Sequence, residues 1–128
     1  MTLGFGQGDT FLMGSPGGKT KHLWIVLSDK AKHSGHVLAV NLTTDSARAG
    51  GECELNCGDH VWITEKSWVS FGDAKVFDLE KDAGLFSSGV NQGWIVPHST
   101  MDTSMLARIV AAAKLSRAFP PVYLKFLD

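Results

Sequence analysis

A chain of 128 residues, 44% hydrophobic and 20% charged, has the composition of one folded domain and not of a disordered segment. Twelve basic against thirteen acidic residues leave a formal charge of −1, which excludes a histone-like polybasic nucleic-acid binder. No apolar run approaches the ~20 residues of a membrane span, no basic and apolar leader opens the chain, and two cysteines make no disulfide framework. A reduced, cytoplasmic protein is the expectation.

In chain order, Asp9–Met13 reads as a short strand, followed by a glycine-rich turn over Gly14–Gly18. Leu23–Leu27 (LWIVL) is a continuous apolar run with β-branched and aromatic residues, the pattern of a strand buried on both sides. Ser28–Gly35 is a polar turn, and His36–Thr43 (HVLAVNLT) a second strand of the same kind. Thr44–Gly58 reads as a loop with a short strand at Cys53–Leu55. His60–Thr64 and Ser67–Phe71 follow as two short strands or as a strand and a turn, and Lys75–Leu79 as another strand. Glu80–Gly93, punctuated by three glycine-containing turns, reads as a long loop with a role of its own. The period then changes: Met101, Met105, Leu106, Ile109, Val110 and Ala113 share one face of a helix. Thr100 or Thr103 caps its start, and Pro120–Pro121 bars its continuation. Pro121–Leu127 reads as a last extended piece. These segments imply one domain over 1–128, mainly β with one C-terminal helix. Barrel strands run over about 8–80, a long loop over about 80–98 and the helix over about 100–118.

The near-zero charge is a cancellation. Lys19–His36 holds four lysines, three histidines and one acid, whereas Asp45–Asp82 holds nine acids against four basic residues. A basic, histidine-bearing loop set beside acidic strands suits a phosphate chain held in one place.

Two motifs fail on context. Gly14–Thr20 (GSPGGKT) suggests a phosphate-binding P-loop, but Met13 stands where the first glycine belongs, and a strand follows where a helix is required. Cys53, Cys57 and His60 offer three zinc ligands within eight residues, yet no second ligand pair accompanies them. No metal and no cofactor are expected.

A polar set at strand ends survives. Lys21–His22 opens one strand, Thr43–Thr44 closes its neighbour, and His60 and Ser67 stand at later strand starts. In an antiparallel barrel such ends meet at one rim. This order of segments resembles the PemK/MazF toxins of toxin–antitoxin modules. The resemblance rests on Gly8-Asp9-Thr10-Phe11-Leu12, on the loop Pro16-Gly17-Gly18 and on Lys21-His22-Leu23-Trp24-Ile25-Val26-Leu27-Ser28. It continues through Val40-Asn41-Leu42-Thr43-Thr44, Lys66-Ser67-Trp68-Val69 and the terminal helix. It implies a small SH3-like barrel, homodimeric, that cleaves single-stranded RNA without metal and is neutralised by an antitoxin protein. The family's arginine and threonine at the phosphate fall on Lys21 and Thr43. Lysine keeps the charge but loses the bidentate fork, and the family's proline is His22.

Written with these residues, a ribose 2′-hydroxyl attacks the adjacent phosphate. His22 and His60 serve as the acid/base pair, Lys21 neutralises the phosphorane, and Thr43 and Ser67 donate to its oxygens. Lys19, Thr44 and Arg48 are the expected RNA contacts. The alternative expectation is a non-catalytic SH3-like barrel that binds RNA or a protein partner.

Overall fold

The computed structural model describes residues 3–127. Six strands form one antiparallel sheet: β1 (Thr10–Met13), β2 (His22–Val26), β3 (His36–Thr43), β4 (Glu54–Leu55), β5 (Ser67–Asp78) and β6 (Ile95–His98). Their order across the sheet is β4-β5-β3-β2-β1-β6, so the two apolar runs read from sequence, β2 and β3, lie side by side in the middle. The sheet curls into a half barrel, and the protein is mainly β with several short helices.

Strand alternation divides the core in two. Leu23, Ile25, Leu38, Val40 and Leu42 face one side, where Ile109 and Ala113 of helix α3 (Thr103–Leu115) and Phe126 and Leu127 of a 3-10 turn cover them. Trp24, Val26, Val37 and Ala39 face the other, against Phe11, Phe77, Trp94, Ile95 and Phe86 of helix α2 (Ala83–Gln92). An antiparallel strand with one wet face would alternate apolar and polar. Here both faces are covered, which is why LWIVL and HVLAV read as unbroken apolar runs.

Several segments depart from expectation. His60–Thr64 is a chain of turns and not a strand, while Ser67–Phe71 and Lys75–Leu79 belong to one long strand. The long strand is interrupted by a bulge: the β3 partner steps from Asn41 to Ala39 while β5 steps from Ser70 to Lys75. The extra residues carry Gly72 and Asp73, the turn-forming pair that made the segment read as two. The expected loop over 80–98 contains α2 and β6. Glycines and serines hide α2, whose stability is tertiary. Phe86 is buried beneath it, and Gly89 lies so close to Ile95 that a Cβ there would stand 2.6 Å from Cγ1. A short helix α1 (Ser46–Ala49) forms within the 44–58 loop, capped by Asp45. Helix α3 is capped by Asp102, whose carboxylate accepts from Ser104 N–H and Met105 N–H, and not by Thr100 or Thr103. Pro121–Leu127 is the 3-10 turn and not an extended piece. Among the described residues no helix is long and apolar enough to cross a membrane.

Candidate functional site

The strand register builds the rim. Trp24 pairs with Asn41 between β2 and β3, so His22, two residues earlier, comes opposite Thr43. Thr43 pairs in turn with Trp68 of β5, which brings Ser67 level with Thr44. A cavity of about 140 Å³ opens there, lined by Thr20, Lys21, His22, Leu42, Thr43, Thr44, Trp62 and Ser67. Five of the eight residues singled out from the sequence therefore share one wall.

Hydrogen bonds fix what each offers. His22 Nδ1 donates to the Leu42 carbonyl at 3.0 Å, since a carbonyl only accepts. In the neutral ring this leaves a lone pair on Nε2. The Thr43 hydroxyl, on a buried side chain, accepts from Asp45 N–H at 3.1 Å, and its own proton has no acceptor among the described residues. Ser67 differs from expectation: its hydroxyl donates to the Glu65 carbonyl at 3.1 Å, so it presents lone pairs and not a free donor. Lys21 is half-buried and supplies the positive charge on the lining.

His60 does not join them. It is buried, its Nδ1 accepts from Trp62 N–H at 3.1 Å, and its Nε2 donates to the Ser99 carbonyl at 2.6 Å, beside the Thr10 hydroxyl. Both ring nitrogens are occupied in tying the 60–64 turns to the end of β6, a structural role that the sequence does not separate from a catalytic one. Lys19 and Arg48 are exposed and lie off the lining. Arg48 is paired with Asp73, Nε at 3.1 Å and a terminal nitrogen at 3.1 Å from Oδ2. Burial pushes the Asp73 carboxyl up, but hydrogen bonds from Ser70 and Arg48 and the charges of Arg48 and His22 outweigh it and hold it below the usual value. Asp73 sits in the bulge of β5.

Among the described residues no three His, Cys, Asp or Glu side chains gather as a metal site. Burial pushes the Cys53 thiol up, with Arg108 opposing and Glu52 adding to it, which disfavours the thiolate that zinc takes.

Two residues that the sequence did not bring to this place are Trp62 and His98. A second cavity, of about 480 Å³, shares Thr44, Trp62 and Ser67 with the first, and His98 also lines it. Desolvation, and then the neighbouring His60, lower the pKa of His98. Its Nδ1 accepts from Ser99 N–H at 2.9 Å, so the neutral ring carries its proton on Nε2. Because β6 falls in what reads as a loop, the sequence offers no signal for His98. Trp62 reads as core, and one part of it does pack there.

The chain matches no protein-family model, and no curated protein matches its sequence.

Proposed function

We propose that this protein is a metal-independent endoribonuclease of the PemK/MazF kind, built on an SH3-like barrel. It cleaves single-stranded RNA, works in the cytoplasm as a homodimer and is neutralised by an antitoxin. The observation that carries this reading is the convergence of Lys21, His22 and Thr43 on one small cavity at the β2–β3 rim. At about 140 Å³ it lies below the ~300–1,000 Å³ of ordinary small-molecule sites, a size that suits a phosphate group better than a metabolite.

The reaction follows from the groups present. His22 Nε2 takes the proton of the ribose 2′-hydroxyl, whose oxygen attacks phosphorus. The P–O5′ bond breaks, and the leaving 5′-oxygen takes a proton from the Lys21 ammonium. The Lys21 charge and the Thr43 hydroxyl proton stabilise the phosphorane oxygens as charge builds. The products carry a 2′,3′-cyclic phosphate and a 5′-hydroxyl. His60, proposed by its sequence position as the second histidine, is replaced in this scheme by Lys21.

The test is incubation with single-stranded RNA in EDTA, followed by end-group determination. Cyclic-phosphate ends that disappear in His22→Ala and in Thr43→Val support the reading, and undiminished cleavage by both variants overturns it. Lys21 in the place of a guanidinium favours a second reading, a barrel that binds RNA or a protein without cutting. Binding with no cleavage under the same conditions is its signature.

A further inference from the structure

The phosphate-sized cavity and a larger one lie side by side, with Thr44, Trp62 and Ser67 lining both. At about 480 Å³ the second chamber has the volume of a ligand site in its own right. Its wall holds one half-buried aromatic ring, Trp62, which packs partly on the core and is thereby fixed in place. Around the ring stand groups of both hydrogen-bonding senses. The Glu65 carboxylate accepts, the His98 Nε2–H donates in the neutral ring, and the Thr44 and Thr64 hydroxyls do either. Val61, 72% exposed, adds apolar surface to the lining.

We propose that this chamber is a nucleobase-binding subsite, in which the base next to the phosphate at Lys21 and His22 stacks on Trp62 and is read by Glu65 and His98. The inference rests on the proposed nuclease site for the identity of the ligand's phosphate, but the subsite is testable without cleavage. An anionic ligand of other chemistry, such as a sugar phosphate, needs no aromatic plane. A lipid needs no ring of mixed donors and acceptors. A nucleobase uses both, through its π-face and its edge. The amino groups of cytosine, adenine and guanine suit the Glu65 acceptor, and their ring nitrogens or carbonyls suit His98.

The experiment is a binding titration of the full chain with a fully 2′-O-methyl oligoribonucleotide, which lacks the attacking hydroxyl. An abasic oligonucleotide of the same length is the second probe. Wild type binds the first at least about fivefold more tightly than the second, the scale of one stacked base. Trp62→Leu removes that preference, and Trp62→Phe, which keeps a stacking face, retains most of it. His98→Gln and Glu65→Gln, away from the packed part of Trp62, change which bases are preferred. Equal affinity of wild type for both probes, or no binding of either, overturns the inference. Unchanged base preference in a folded Trp62→Leu also overturns it, and leaves the nuclease reading standing if His22→Ala still abolishes cleavage. Trp62-dependent binding with no cleavage of ordinary RNA does the reverse: the subsite stands and the nuclease reading falls.

Discussion

Replacing His60 by alanine separates a structural histidine from a catalytic one. The ring is buried, and it holds Trp62 N–H at 3.1 Å and the Ser99 carbonyl at 2.6 Å. Removing it leaves Trp62 N–H with no acceptor, a loss of about 1–2 kcal/mol at a half-buried site. The Ser99 carbonyl keeps the Thr10 hydroxyl as a donor, so its share is small. The void where the imidazole stood adds about 1 kcal/mol. The sum, about 2–3 kcal/mol, corresponds to a fall of roughly 6–15 °C in Tm for a chain of this length. His60→Asn restores an acceptor near the Nδ1 position and recovers about 1 kcal/mol of that. The assay is thermal denaturation by circular dichroism, paired with RNA cleavage well below the transition. An unchanged Tm with lost cleavage returns His60 to the reaction.

Three further outcomes follow from the same structure. His98, with its pKa lowered by desolvation and by His60, takes up a proton more readily in the unfolded chain, so the wild type loses stability as pH falls through the ordinary histidine value of about 6.5. His98→Gln lacks this loss, and the Tm difference between wild type and variant shrinks from pH 7.5 to pH 5; a constant difference contradicts it. Asp73, held below the usual carboxylate value despite its burial, contributes stability above about pH 3.9 that is lost as pH falls through its folded value. Asp73→Asn is therefore the less stable at pH 7, and the two proteins converge in acid, as acid-denaturation curves will read. In Gly89→Ala the helix gain of about 1 kcal/mol is outweighed by about 1–3 kcal/mol of overpacking against Ile95, because the new Cβ meets that side chain at 2.6 Å from Cγ1. Urea denaturation reads a small net loss, and a more stable variant shows that α2 does not press on Ile95.

The middle of the sheet was legible because β2 and β3 are covered on both faces, and a doubly buried strand leaves an unbroken apolar run in the sequence. Helix α3 was legible because one face is wet, which leaves a period. Helix α2 has neither mark. Its glycines and serines have poor propensity, and Phe86 and the close approach of Gly89 to Ile95 hold it, both of them tertiary facts. Strand β6 carries Pro97, whose missing N–H suits an edge strand but which breaks the strand pattern in sequence.

The same contrast runs through the site. Lys21, His22, Thr43, Thr44 and Ser67 came together because antiparallel pairing of neighbouring strands is enough to align their ends. His60 lies off this lining because its partners, Trp62 N–H and the Ser99 carbonyl, include one 39 residues away. His98 is placed by the pairing of β6 with β1, in which it stands opposite Thr10, 88 residues earlier, a contact that no local spacing encodes. Arg48 was an expected RNA contact, but Asp73, in the β5 bulge, pairs with it away from the cavity lining.

The most direct measurement sets one RNA sequence against its DNA counterpart, each single-stranded and in EDTA, with wild type and His22→Ala. Wild type is expected to cut the RNA to 2′,3′-cyclic phosphate and 5′-hydroxyl ends and to leave the DNA whole, since the attacking group is the 2′-hydroxyl. His22→Ala is expected to cut at least about 100-fold more slowly, the scale of a lost proton-transfer group. Intact RNA after incubation with wild type, cleaved DNA, or full-rate cleavage by His22→Ala overturns the proposed nuclease.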